Sequence, residues 1–362
     1  MWRKLGAFMR FDGPVPRRRT AGPSPRPRPA ASPLIETAFA PNPGNLRLFT
    51  YIPGGLKPGA PLVVLLHGCG QTAAGYDAGT GWSELAQAQG FALIAAEQKA
   101  VNNPNTCFNW FNPDDIARGA GEAASIAAMI ETTVAAHRLD AARVFITGLS
   151  AGGAMTDVML ALYPDLFAGG AIIAGLPFGA ARDVRDALEA MRMPPLRTPR
   201  QWGDAVRAVS PAPGRWPRVS IWHGDLDTTV NILNAQALAA QWADLHGLAL
   251  TGASQDFIEA GALRLRWDDR LEVVTVPALG HGAPIDADDL GRPAPFILDV
   301  GISSTRRIAE FWGLPARAEA RPGPEPVAHM LPRIEHALKP AVADAKAESV
   351  IRRALRAAGL LK

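Results

Sequence analysis

The sequence predicts an α/β fold with a mainly parallel central sheet and helices on both faces. Two observations carry that prediction. Short continuous apolar runs recur along the middle of the chain, LVVLL at 62–66 being the clearest. Stretches with helical spacing separate them. Strands buried on both faces read as unbroken apolar runs, and such strands belong to parallel sheets.

Each element follows in order. Residues 46–52 read as a strand, and 62–66 as a buried strand ending in His67-Gly68. Residues 81–89 suit a helix and 91–96 a strand. Residues 115–137 are Ala-rich with helical periodicity. Residues 144–147 form the next strand, and 151–162 a helix that stops before Pro164. Residues 171–174, 219–222 and 273–276 complete the buried strands. In such sheets the chemistry sits at the carboxyl ends of the strands.

The chain has 362 residues, 48% hydrophobic and 20% charged. That suits one sizeable domain or two small ones. No apolar run reaches the roughly 18 residues that would suggest a membrane-spanning helix. The net charge of +3 is unevenly spread: residues 1–33 carry +7, residues 317–362 carry +4, and the body carries −8. Nucleic-acid binding needs a basic face on the folded body, and this body is acidic. Neither nucleic acid nor integral membrane association is expected.

Residues 13–33 hold seven prolines among Arg, Ser, Ala and Gly. Such a segment buries too little apolar surface to fold, so residues 1–33 are expected to be disordered. Residues 34–316 are expected to form the catalytic domain. Residues 317–362 then comprise a linker and an amphipathic C-terminal helix, with Val342, Ile351 and Leu355 near one face and Arg352, Arg353 and Arg356 near another. No apolar stretch follows Arg3-Lys4 or Arg17-Arg18-Arg19, so the N-terminus does not read as an export signal.

The strongest local signal is RVFITGLSAGGAM at 143–155. It sets G-x-S-x-G (Gly148, Ser150, Gly152) between a strand and a helix, the context of a nucleophile elbow. The helix starting at Ala151 points its amides and positive dipole end at a developing oxyanion. This is the signature of an α/β-hydrolase fold. A serine is a weak nucleophile alone, so a base and an orienting acid must follow. The acid lies in VSIWHGDLDTTV (219–230), where Asp227 and Asp225 compete. Asp227 is preferred because it lies farther past the strand, where the loop turns back; Asp225 would brace the turn. The base is His281, in a loop flanked by Gly280 and Gly282. His67 and His223 begin His-Gly turns and suit bracing roles, while His137 and His246 end helices, where a cation is favoured. The loop LLHGCGQT (65–72) is expected to supply a second oxyanion donor, the N–H of Cys69, beside that of Ala151. In NTCFNWF (105–111), Trp110 and Phe111 either wall a substrate pocket or pack their own loop. The two cysteines, Cys69 and Cys107, fit no zinc site and are two thiols or one bridge. No metal and no cofactor are expected.

Together LHGCGQT, NNPNTCFNWF, GLSAGGAMTDVMLALYPDLFAGGAIIAGLP, WHGDLDTTV and GHGAP resemble the poly(3-hydroxybutyrate) depolymerase family of esterases. These are related to the feruloyl and acetyl-xylan esterases of carbohydrate esterase family 1. The resemblance covers roughly residues 35–315. It implies Ser150 as nucleophile, Asp227 as acid, His281 as base, and a bridge between Cys69 and Cys107. It implies hydrolysis of short-chain hydroxyalkanoate esters, polymer or oligomer, with feruloyl or acetyl-xylan esters as the alternative. Members that degrade polymer usually carry a signal peptide and a polymer-binding module. The C-terminal extension is too short for such a module, so soluble oligomers are the safer expectation. Extracellular or periplasmic location follows from the resemblance, and cytoplasmic location from the N-terminus.

Overall fold

The computed structural model describes residues 32–211 and 214–314. The N-terminal Pro/Arg-rich segment as far as residue 31, and the linker and helix assigned to 317–362, lie outside the described residues.

The first half contains β1 (Ile35–Thr37), β2 (Arg47–Tyr51), β3 (Leu62–Leu66), α1 (Ala73–Thr80), α2 (Trp82–Gln89), β4 (Ala92–Glu97), α3 (Gly121–His137), β5 (Val144–Leu149) and α4 (Ala151–Leu162). The second half contains β6 (Gly169–Ile173), α5 (Val184–Arg192), α6 (Pro199–Arg207), β7 (Arg218–Gly224), α7 (Leu233–His246), β8 (Ser254–Phe257), β9 (Leu263–Trp267) and β10 (Leu271–Val276). Two short strands, β11 (Ala283–Ile285) and β12 (Ile297–Asp299), and α8 (Ser304–Trp312) complete it.

One sheet runs β1-β2-β4-β3-β5-β6-β7-β10-β9-β8. Its centre, from β4 to β10, is parallel, and two antiparallel strands close each edge. The apolar runs explain the centre. In β3, Leu62, Val64 and Leu66 enter one core while Val63 and Leu65 enter the other. The first core packs under α3 to α7, with Trp202, Trp242 and Phe178 among its largest residues. The second packs under α1, α2 and α8, where Trp312 stacks on both Trp82 and Phe145.

The differences from the sequence reading have local causes. The helix expected from 115 begins at Gly121. Gly119 and Gly121 both take positive φ, and a Cβ at Gly121 would collide with Asp114 and Asp115. The chain therefore turns sharply there before α3 can start. His246 ends α7 as expected but is not a cation: burial, followed by the nearby Arg270 charge, lowers its pKa to about 4. Desolvation outweighs the helix dipole.

Candidate active site

Ser150 sits between β5 and α4 with φ 58° and ψ −117°. A residue with a Cβ is strained there, and the surroundings must hold it. They do so through close approach. A Cβ at Gly148 would meet the Gly152 carbonyl, and one at Gly152 would meet the Leu66 and His67 carbonyls. Glycine at both positions lets β5, α4 and the end of β3 close together. The Ser150 N–H donates to Ile173 O at 2.9 Å, tying the elbow to β6.

The loops after β7 and β10 bring the other two groups to Ser150. His281 Nε2 lies 2.9 Å from Ser150 Oγ, and its Nδ1 lies 2.7 Å from Asp227 Oδ2. The Asp227 side chain is fully buried, and its Oδ1 accepts from the N–H groups of Thr229 and Val230 at 2.8 and 2.9 Å. Burial pushes this carboxyl up. Hydrogen bonds from His223, His281 and Val230, with the His281 charge, outweigh that and hold it well below the usual carboxylate range. An ionised Asp227 can orient the imidazole tautomer whose Nε2 accepts the serine proton.

Asp225, the competitor, points elsewhere. Its Oδ1 accepts from Ala278 N–H at 2.7 Å, bracing the turn that leads to His281. His223 Nε2 donates to Val230 O at 2.8 Å, and His67 lies between Gly68 O and the Gln98 N–H. Both act as braces.

The oxyanion loop lies against the elbow. Among the described residues, neither the Cys69 nor the Ala151 amide donates to an acceptor. Gln71, which the sequence reading passed over, fixes this loop. Its Oε1 accepts from Gly68 N–H at 2.8 Å, and its Nε2 donates to Pro295 O at 2.9 Å. Phe296, also unforeseen, sets its ring edge-on to His281 at 5.9 Å. Gln71 stands inside LLHGCGQT and Phe296 in a loop, and neither carried a further signal in the sequence.

Cys69 and Cys107 form a disulfide. Gly70 N–H donates to Asn105 O at 2.8 Å beside it, so the aromatic loop is doubly tied to the oxyanion loop. The two cysteines are 38 residues apart. Closing a loop of that length stabilises by about 4 kcal/mol in the chain-entropy model. The Cys69→Ser/Cys107→Ser variant is expected to lose that much in denaturant unfolding. Trp110 is buried in the core, and Phe111 packs edge-on against it at 5.5 Å.

Beneath the aromatic loop lies a buried carboxyl that no motif announced. Glu122 accepts from Gln98 Nε2 at 2.5 Å, from Asn109 Nδ2 at 2.8 Å and from Asn109 N–H at 2.9 Å. Burial, the largest influence, raises its pKa from 4.5 to about 8. The folded state thus holds the proton more tightly than the unfolded state. The resulting stability is present below pH 4.5 and is lost as pH rises through about 8. Glu122→Gln should therefore gain stability relative to wild type as pH rises through that window, read from melting temperatures at pH 4, 6 and 9.

Several known proteins to which the chain is similar are esterases. The Esterase PHB depolymerase family matches residues 46–264. Poly(3-hydroxyalkanoate) depolymerase C of Paucimonas lemoignei is 42% identical over 76% of this chain and 69% of its own. Feruloyl esterase B of Thermothelomyces thermophilus is 35% identical over 61% of this chain and 78% of its own. Among solved structures, an acetyl xylan esterase from Aspergillus awamori superposes with a TM-score of 0.67 at 25% identity, covering 78% of this chain and 99% of that one. The sheet, its helices and these likenesses agree: the chain is a carboxylic ester hydrolase with an α/β-hydrolase fold and belongs to the Esterase PHB depolymerase family.

Proposed function

We propose that the chain hydrolyses short-chain hydroxyalkanoate esters by two-step acyl transfer on Ser150. The hydrogen-bonded line from Ser150 through His281 to Asp227 carries this reading. His281 takes the Ser150 proton as Oγ attacks the ester carbonyl. The N–H groups of Cys69 and Ala151 hold the oxyanion, each worth about 10²–10³ in rate. Asp227 stabilises the imidazolium. His281 then returns the proton to the leaving alcohol, and water cleaves the acyl-enzyme with His281 again as base. In this reading Trp110 and Phe111 wall an acyl or alcohol pocket, Phe111 being the less buried of the two.

The hydroxyalkanoate substrate is supported by the relative at 42% identity, whose name gives poly(3-hydroxyalkanoate). Acetylated or feruloylated xylan is the second reading, favoured by the acetyl xylan esterase superposition. The disulfide supports an extracellular or periplasmic setting, where thiols are oxidised. Residues 34–316 constitute the catalytic domain in this reading. An ester panel decides the substrate. Higher kcat/KM on 3-hydroxybutyrate oligomers than on acetylated xylan or methyl ferulate is the expected result, and the reverse order would reject hydroxyalkanoates.

A further inference from the structure

Phe296, which faces His281, has a backbone conformation that disfavours it. With Pro295 it forms the tip of a tight turn. Ile297 N–H donates to Ala294 O at 2.9 Å, and Ala294 N–H to Ile297 O at 3.2 Å. Proline suits the first corner, because its ring fixes φ near −65°. The second corner has φ 62°, the left-handed region that turns ordinarily give to glycine or asparagine. A bulky residue is strained there. Such strain persists only where the surroundings over-determine it, and it gathers at sites that handle ligands.

Burial does not account for the phenylalanine. Its side chain is 46% exposed, against 1% for the neighbouring Ile297. Among the described residues its one aromatic partner is the His281 imidazole, met edge-on with centroids 5.9 Å apart. Glycine would relax this turn and leave less apolar surface in water.

The turn is clamped in place from two sides. Pro295 O accepts from Nε2 of Gln71, in the loop that holds Cys69, at 2.9 Å. Phe296 O accepts from Ala283 N–H at 2.9 Å, two residues beyond His281. Gly282 permits that approach, since a Cβ there would meet Phe296 O and the Leu298 side chain. The ring is therefore held against the imidazole whose Nε2 lies 2.9 Å from Ser150 Oγ.

The chemistry of the base says which half of an ester the ring meets. His281 hands its proton to the leaving oxygen, so the carbon bonded to that oxygen passes beside the imidazole. A side chain packed on the imidazole meets that carbon before it meets the acyl chain.

We propose that Phe296 determines specificity for the leaving alcohol, as an apolar shelf for a branch on its oxygen-bearing carbon. The proposal rests on the acyl-transfer reading above. The alcohol released from a 3-hydroxybutyrate ester carries a methyl branch at that carbon.

The test uses two ester pairs on the full chain. sec-Butyl against methyl butyrate changes only the alcohol, and methyl butyrate against methyl acetate changes only the acyl group. Ratios of kcat/KM within a pair are independent of the active fraction of each preparation. In F296G the ratio of sec-butyl to methyl butyrate should fall about tenfold, the scale of one or two lost methylene contacts. The acyl ratio should stay within about twofold. F296L keeps a branched apolar side chain and should restore most of the alcohol ratio. The melting temperature of F296G should not fall, because glycine accepts φ 62° without strain. F296A gives the same reading if F296G fails to fold. An unchanged alcohol ratio in the folded variant overturns the proposal, as does an equal fall in both ratios or a fall that F296L leaves in place. If Ser150→Ala hydrolyses methyl butyrate at the wild-type rate, the acyl-transfer reading fails and the assignment of Phe296 fails with it. If hydrolysis needs Ser150 and the alcohol ratio does not move, only the assignment of Phe296 fails.

Discussion

Ser150→Ala should lower kcat on p-nitrophenyl butyrate by about 10⁴–10⁶-fold, because triad members act as a unit and the residual rate comes from binding and the oxyanion donors. Its melting temperature should not fall. Ser150 holds a strained backbone, φ 58°, and among the described residues its half-buried Oγ hydrogen-bonds only with His281. Removing the hydroxyl leaves the elbow's close contacts, at Gly148 and Gly152, untouched. A large loss of activity with retained stability separates chemistry from folding. Circular dichroism melts run beside initial rates give both readings, and a variant that keeps a tenth of the activity would remove Ser150 from the mechanism.

Asp227→Asn should cost about 10⁴-fold in kcat. The amide can donate where the carboxylate accepts, so it favours the wrong tautomer of His281. It also takes away the negative charge that stabilises the imidazolium. The substitution should cost stability as well, since Oδ1 accepts two backbone N–H groups in a buried site. Asp225→Asn makes the control. Among the described residues its carboxylate accepts only from the Ala278 N–H, and an asparagine oxygen can still accept that bond. A loss within about tenfold is expected there, in keeping with one weakened brace. Initial rates of the two variants at pH 7 rank the carboxylates directly. Equal losses, or a larger loss for Asp225→Asn, would transfer the orienting role.

The sequence made the centre of this fold legible because its strands are buried on both faces. LVVLL became β3, and the helix read over 151–162 is α4 residue for residue. The elbow was legible because its residues stand together between a strand and a helix, although the carbonyls that require glycine at 152 belong to Leu66 and His67, far away in sequence. The edges were harder to read. β8 is wholly exposed, and in β9 leucines alternate with arginines, so neither gives an apolar run. α1 contains two glycines, and its N-cap signal is one Thr72 hydroxyl bonded to Gly75 N–H. The polar support under the site was not legible at all. Gln98, Asn109 and Glu122 come from separate segments and look like surface residues in the sequence. Only the fold buries them together.

The most direct measurement is covalent labelling of the native chain with a fluorophosphonate, followed by peptide mass analysis. The reagent captures a serine only where a base removes its proton and amides hold the oxyanion. The expected result is one adduct, on the peptide holding Ser150, with ester hydrolysis lost in proportion to labelling. A chain that hydrolyses esters while Ser150 stays unlabelled, or whose label sits on another serine, would contradict Ser150 as the nucleophile.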